Sequence, residues 1–190
     1  MNVCVFGASS TQIDDKYIQA TERLGEALAA SGHNLVYGAG GSGLMGAVAR
    51  GMTRGGGYIT GVVPSFLKVD GILYEQCDEM VYTDTMRQRK QIMDERSDAF
   101  IVTPGGIGTY EEVFEIYTLK QLGRHQKPIV IFNVDGYFDC LLEMLAFTVK
   151  EQFMKPLCLE LYTVATTVEE ALRQLQHPIS AADVEKTKYI

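Results

Sequence analysis

The chain has 190 residues, with 17 basic and 24 acidic side chains and a net charge of −7. This length suits one domain of ordinary size, and the acidic balance argues against wrapping nucleic acid, which requires a basic face. Hydrophobic residues make up 46% of the chain and charged residues 22%, a balance typical of a folded globular domain rather than a disordered one.

Short apolar runs alternate with helical patterns along the chain. In chain order, the sequence predicts a strand at residues 2–6, a helix at 15–31, a strand at 34–37, a helix at 44–54, a strand at 58–63, a loop at 65–78, a strand at 79–82, a polar helix at 84–97, a strand at 99–102, a helix at 109–122, a strand at 128–132, a helix at 138–152, a strand at 161–165 and a helix at 168–176.

This alternation predicts an α/β fold, with a Rossmann-like, doubly wound parallel sheet and helices on both faces. No linker or repeat divides the chain, so we expect a single nucleotide-binding catalytic domain at residues 1–178 and a polar tail at residues 179–190. In such sheets, ligands bind at the carboxyl ends of the strands, beside helix N-termini.

The 19 glycines are an excess, and they cluster at that edge of the predicted sheet. The clearest cluster is in residues 103–112, TPGGIGTYEE, where a strand leads in and a helix leads out. Free N–H groups and the dipole at the start of a helix form a site for an anion such as phosphate. The alternative is a tight turn in which Thr109 caps the helix. No Gly-Lys-Ser/Thr ending is present, which argues against a Walker A loop.

Charged residues flank this segment. Glu112 would not help to bind phosphate, but it suits a ribose hydroxyl or an activated water; the alternative role is to stabilise the helix N-terminus. The segment MRQRK, residues 86–90, places Arg87, Arg89 and Lys90 on one helix. Three neighbouring cations are unfavourable unless they are solvated or face anions, so a solvated helix face is the alternative there.

A second glycine-rich segment, YGAGGSGLMG at residues 37–46, follows the second predicted strand. It matches GxGxxG, but no acidic residue follows about 20 positions on, so NAD binding is not favoured. A turn of small residues, GASS at residues 7–10, falls at the same edge. These two turns add Ser9, Gly40 and Gly41 as candidate substrate contacts.

Other residue types argue against several other classes of site. The four cysteines show no CxxC spacing and suggest core positions, so we expect neither a disulfide framework nor a zinc site. The three histidines lack ligand spacing, and we expect no metal. No apolar run approaches about 18 residues and no signal peptide is evident, so we expect no membrane partner and a cytoplasmic location.

Together these residues resemble the LONELY GUY (LOG) family of nucleotide-processing proteins. The family signature PGGxGTxxE is matched from Pro104 through Glu112, and a preceding helix carries the matching Met86, Arg89 and Lys90. Thr118 also looks like the family, as do the segments at residues 37–46, 121–123, 127–128 and 133–137.

The resemblance implies a phosphoribohydrolase that cleaves the N-glycosidic bond of cytokinin riboside 5′-monophosphates or, in some members, AMP. It implies a homodimer or larger assembly and no cofactor. It also implies that Arg89 and Glu112 are the catalytic pair. The residues it implies for the substrate site are Lys90, Gly105, Gly106, Ile107, Gly108, Thr109, Tyr110, Glu111 and Thr118. An acidic substrate contact of some members aligns ambiguously with the stretch around Asp70.

Two other functions share parts of this pattern. Relatives are often labelled lysine decarboxylases, but that chemistry normally needs pyridoxal phosphate on a lysine, and Lys90 is the only lysine near the predicted site. A nucleotide-binding or carrier module without turnover would have the same fold, and fold alone does not separate it from an enzyme. The intact pair of Arg89 and Glu112 favours the enzyme.

Overall fold

The computed structural model describes residues 1–69 and 71–176; Asp70 and the predicted tail at residues 179–190 lie outside the described residues. Its elements are β1 (Asn2–Phe6), α1 (Asp15–Ala30), β2 (Asn34–Tyr37), α2 (Gly43–Arg54), β3 (Ile59–Pro64), β4 (Glu79–Thr83), α3 (Met86–Glu95), β5 (Ala99–Val102), α4 (Ile107–Gln121), β6 (Ile129–Phe132), α5 (Asp139–Lys150), β7 (Thr163–Ala165) and α6 (Val168–Gln174). Short 3-10 helices occur at Ser65–Leu67, Val134–Gly136 and Pro156–Glu160.

The seven strands form one parallel sheet in the order β4-β3-β2-β1-β5-β6-β7. Successive side chains of a strand point to opposite faces, and β1 shows this directly. Val3 and Val5 join a core that α1, α2 and α6 cover, whereas Cys4 and Phe6 join a core that α3, α4 and α5 cover. The predicted doubly wound, Rossmann-like fold is therefore confirmed.

The chain reverses its direction of winding between β1 and β5, which are neighbours in the sheet. Phe6 pairs with Val102 at the carboxyl ends of these strands. The following turns stay together, because the Ala8 N–H donates to the Pro104 carbonyl at 3.0 Å. A crevice at such a switch point is where ligands bind in this class of fold.

Most predicted elements are confirmed to within two or three residues, and the differences have local causes. The polar helix α3 begins at Met86 because Thr85 and Gln88 form a capping box. Residues 65–69 and 71–78 are mostly loop, as predicted, but an antiparallel bridge ties Leu73 to Gly40. The core prediction for the cysteines is wrong for Cys140, which is exposed on α5. Across residues 1–69 and 71–176, every helix is too short or too polar to span a bilayer.

Candidate active site

A cleft of about 510 Å³ opens at the carboxyl edge of the sheet, beside the switch point. The turns after β1, β2 and β5 form its walls together with α3, α4 and part of the loop after β3. Its lining residues are Gly7, Ala8, Ser9, Ser10, Gly38, Gly40, Met45, Val63, Leu67, Ile72, Leu73, Met86, Arg89, Gly106, Gly108, Thr109, Glu111 and Glu112. The cleft therefore combines a small-residue wall, an apolar wall and charged side chains.

Arg89 is held in this cleft by a hydrogen bond to β3, and its guanidinium packs against the turn after β2. It lies on α3 with only 8% of its surface exposed, so the solvated-face alternative fails for this cation. Its Nε donates to the Val62 carbonyl of β3 at 3.1 Å. A methyl group on Gly38 would overlap the guanidinium, so the glycine after β2 makes room for it. The guanidinium is fixed in place before any ligand arrives.

Glu112 faces Arg89 across the gap between α3 and α4. Its Oε1 accepts a hydrogen bond from Arg89 Nη1 at 3.0 Å, and both side chains are about nine-tenths buried. Burial raises the pKa of the Glu112 carboxyl above its usual range, although the positive charges of Arg89 and Lys90 oppose that rise. A carboxylate in such an environment is a stronger base than one in water.

The N-terminus of α4 reaches the cleft with free donors. Gly106 is the N-cap residue, and it has no side chain that could accept a hydrogen bond from the first N–H groups of the helix. Within the described chain, the N–H groups of Gly106, Ile107, Gly108 and Thr109 have no protein acceptor, and the first helical bond runs from Tyr110 to Gly106. The alternative with Thr109 as the cap is wrong, since Thr109 lies inside the helix and is buried. This end of α4 can accept an anion.

Lys90 points away from the cleft, to the outer side of the contact between α3 and α4. Its ammonium group forms ion pairs with Glu111 and Glu115 of α4. Burial acts to lower the pKa of Lys90, but the two carboxylates outweigh it and raise the pKa. A groove of about 730 Å³ lies on this side, with Phe114 and Leu119 in its lining. Lys90 therefore joins α3 to α4.

The cleft brings together only part of the set that the sequence predicted. The predicted residues that line it are Ser9, Gly40, Arg89, Gly106, Gly108, Thr109, Glu111 and Glu112. The predicted residues outside its lining are Gly41, Lys90, Gly105, Ile107, Tyr110 and Thr118. At Gly105, the Thr109 side chain occupies the space where a side chain would begin. The Ile107 side chain is 84% exposed, and Thr118 lies on the exposed side of α4.

Sequence reasoning missed the apolar wall of the cleft. Leu67, Ile72 and Leu73 come from the loop after β3, and Met86 from the start of α3. The three loop side chains follow no helical or strand period, so periodicity could not assign them, whereas Met86 belongs to the matched helix motif but was not predicted as a site residue. The available signal was the presence of large apolar residues in a stretch that otherwise reads as a solvent-exposed loop.

Comparisons with known proteins agree with this geometry. A family model described as "Possible lysine decarboxylase" matches residues 45–175. The probable cytokinin riboside 5′-monophosphate phosphoribohydrolase LOGL6 of Oryza sativa subsp. japonica is 40% identical over 92% of this chain and 70% of that protein. The cytokinin riboside 5′-monophosphate phosphoribohydrolase LOG7 of Arabidopsis thaliana is 40% identical over 92% of this chain and 80% of that protein.

A solved structure shares the fold at lower identity. The molybdenum cofactor carrier protein of Chlamydomonas reinhardtii superposes with a TM-score of 0.71 at 22% identity, over 92% of this chain and 95% of that one. The family match spans residues 45–175, and the relatives at 40% identity each align with 92% of the chain. This chain belongs to the LOG family, whose curated relatives are named cytokinin riboside 5′-monophosphate phosphoribohydrolases.

Proposed function

We propose that this protein hydrolyses the N-glycosidic bond of purine nucleoside 5′-monophosphates, with cytokinin-type bases or adenine, to free base and ribose 5-phosphate. The observation that carries the proposal is the buried contact of 3.0 Å between Arg89 and Glu112 in a cleft that also holds the unsatisfied N-terminus of α4. The names of the relatives at 40% identity support the same reaction. A single catalytic domain, residues 1–178, would contain all of the residues that bind and cleave the substrate.

The 5′-phosphate would bind at the start of α4. The free N–H groups of residues 106–109 and the helix dipole both favour a negative charge there. Gly106 and Gly108 have open space where a side chain would begin, which leaves room for phosphate oxygens. Binding energy from this remote group fixes the sugar for reaction.

Glu112 would act at the sugar. Cleavage of a glycosidic bond passes through a state in which the sugar carries positive charge, and a nearby carboxylate stabilises it. The raised pKa of Glu112 also suits it to accept a proton from water. The hydroxyl of that water bonds to C1′ while the bond from C1′ to the base nitrogen breaks. The base takes up a proton from solvent and Glu112 releases the one it accepted, so that one water is consumed in total.

Arg89 would act on the departing base and on Glu112. Its guanidinium can donate hydrogen bonds to the negative charge that develops on the base as the bond breaks. The base itself would lie along the apolar wall formed by Leu67, Ile72, Leu73 and Met86. The proposal therefore divides the cleft into a phosphate end, a charged centre and an apolar side.

Glu112→Gln tests the proposed chemistry, because it keeps the shape of the side chain and removes its charge. We expect release of adenine from AMP, or of the base from N6-prenyl AMP, to fall by about 10²- to 10⁴-fold, the usual contribution of a positioned acid or base. Separation of free base by chromatography measures it. Glu169→Gln, at an exposed position on α6, is the matched control and should retain normal activity.

The same assay separates the enzyme from the carrier alternative. Binding of AMP without release of base by the unaltered protein would favour a carrier. Normal turnover by Glu112→Gln would instead show that the reaction does not use this carboxylate.

We also propose that the protein is a homodimer in the cytoplasm. Met144 and Phe147 lie three residues apart on α5 and are 47% and 60% exposed, which gives that helix an apolar outer face. The exposed thiol of Cys140 on the same helix suits a reducing compartment. Light scattering should give twice the mass of one chain, and cell fractionation tests the location; a monomer mass or a membrane-bound pool would contradict these assignments.

A further inference from the structure

The segment NVDGY, residues 133–137, forms a fixed turn after β6. The Asn133 side chain accepts from the Phe138 N–H at 2.7 Å and donates to the Asp139 carboxylate at 2.8 Å. Asp135 and Gly136 adopt positive φ angles of 52° and 72°. These features reverse the chain and place Tyr137 beside the turn that follows β5.

Tyr137 makes polar contacts with that turn and with the first turn of α4, where its hydroxyl also interacts with the Tyr110 hydroxyl. Its hydroxyl donates to the Gly105 carbonyl at 2.7 Å. Its ring packs edge-on against Tyr17 of α1, with ring centroids 5.7 Å apart, and against Phe138, at 5.0 Å. The ring is thus held on two sides by other aromatic residues, and its hydroxyl has a defined position.

The Gly105 carbonyl fixes the orientation of the peptide unit that carries the Gly106 N–H, one of the free donors at the start of α4. In a trans peptide, the C=O and the N–H point in opposite directions, so a carbonyl turned toward Tyr137 directs the Gly106 N–H away from it. Gly106 lines the cleft, whereas neither Gly105 nor Tyr137 does. The Gly105 carbonyl also accepts no bond from Thr109, which would have begun the helix one residue earlier and used a donor.

From this geometry we propose that Tyr137 is a positioning residue for the phosphate end of the cleft. Its hydroxyl holds the Gly105 carbonyl on the far side of the turn, so that the N–H groups of residues 106–109 remain free to bind phosphate. The inference rests on the proposed function, because it takes the start of α4 as the place of the 5′-phosphate.

Tyr137→Phe removes the hydroxyl and keeps the ring. We expect KM for AMP to rise about three- to tenfold, the effect of losing the neutral hydrogen bond to the Gly105 carbonyl, while kcat changes by less than about twofold. Inhibition by ribose 5-phosphate should weaken by the same factor, because that product keeps the phosphate. Cleavage of adenosine, which has no phosphate, should keep its kcat/KM.

Tyr17→Phe is the matched control. It removes a hydroxyl from the neighbouring ring of the same aromatic cluster and should leave KM unchanged. If Tyr137→Phe lowered the melting temperature and left KM and the ribose 5-phosphate constant unchanged, the hydroxyl would be only a structural contact and the inference would be overturned.

Direct binding distinguishes failure of the inference from failure of the proposed function. Calorimetry with AMP and with ribose 5-phosphate measures affinity whether or not the protein cleaves AMP. If the unaltered protein binds both ligands without releasing base, and Tyr137→Phe binds them several-fold more weakly, the reaction is wrong and the inference holds. If the unaltered protein binds neither ligand, or both proteins bind them equally, the inference fails.

Discussion

Two turns of this protein look alike in sequence but differ in what fills them. Each follows a parallel strand, is rich in glycine, opens a helix and lies at the carboxyl edge of the sheet. After β2, protein groups complete the turn: the N–H groups of Leu44 and Met45 donate to the Ala8 carbonyl. After β5, the N–H groups at the start of α4 have no protein acceptor in the described chain.

The glycines of the two turns differ in the same way. A methyl group on Gly46 would overlap the Gly41 carbonyl, and one on Gly38 would overlap Arg89. Nothing lies within 4 Å of where a side chain would begin at Gly106 or Gly108. In the first turn, Gly38 and Gly46 are required by the packing of this protein; in the second, Gly106 and Gly108, unlike Gly105, leave space that protein atoms do not use. A glycine-rich motif predicts a phosphate site only where both the donors and the space remain free.

Altering the turn after β2 should lower the stability of the fold. In a helix, alanine is usually more stable than glycine by about 0.5–1 kcal/mol, so a loss at Gly46 would be due to the backbone clash. We expect Gly46→Ala to lower the free energy of unfolding by about 2 kcal/mol, the scale of overpacking, as measured by urea denaturation. An unchanged or higher stability would contradict the idea that this turn is filled by the protein itself.

Altering the turn after β5 should weaken ligand binding instead. Gly108→Ala makes the same chemical change, also within a helix, but into open space beside the cleft. We expect unchanged or slightly higher stability and a rise in KM for AMP of about tenfold, equivalent to about 1.4 kcal/mol. A stable variant with normal KM would place the phosphate elsewhere and remove the distinction between the two turns.

Much of this fold could be predicted from the sequence, because buried parallel strands have a simple pattern. Apart from Asn2, the strands at Asn2–Phe6 and Ala99–Val102 are continuous apolar runs, and their predicted limits agree with the structure. The centre of the site was also accessible, because Arg89 and Glu112 belong to motifs of fixed spacing. Their contact joins side chains 23 positions apart and depends on the register of α3 against α4, which no local pattern encodes.

The direction of individual side chains was not accessible from the sequence. Neighbours on a helix point about 100° apart, so Arg89 enters the cleft while Lys90 turns to its outer side. Gly105 and Gly106 differ likewise, since the Thr109 side chain fills one and the cleft adjoins the other. A motif therefore identifies the segment that forms the site, and packing decides which of its residues reach the ligand.

Residues 103–112, after β5, include the carboxylates of Glu111 and Glu112, whereas residues 37–46, after β2, include no charged side chain. Lys90 contacts Glu111 and Glu115, and its positive charge also acts to lower the pKa of Glu112, which burial has raised. Removing this charge in Lys90→Met should raise the pKa of Glu112 further. If the reaction needs the Glu112 carboxylate, the acid limb of the plot of kcat against pH should move to higher pH, because Glu112 then becomes protonated at a higher pH.

The effect should be small and confined to the acid side. We expect kcat to fall about two- to threefold on the acid limb, and to remain near normal at higher pH, where Glu112 is ionised in both proteins. Arg87→Met is the matched control: it removes an exposed cation from the same helix that has no ion pair in the described chain. An equal shift in both variants would indicate a general loss of positive charge. A rise in KM with an unmoved profile would make Lys90 a substrate contact, and the charge that tunes Glu112 would then come from Arg89 alone.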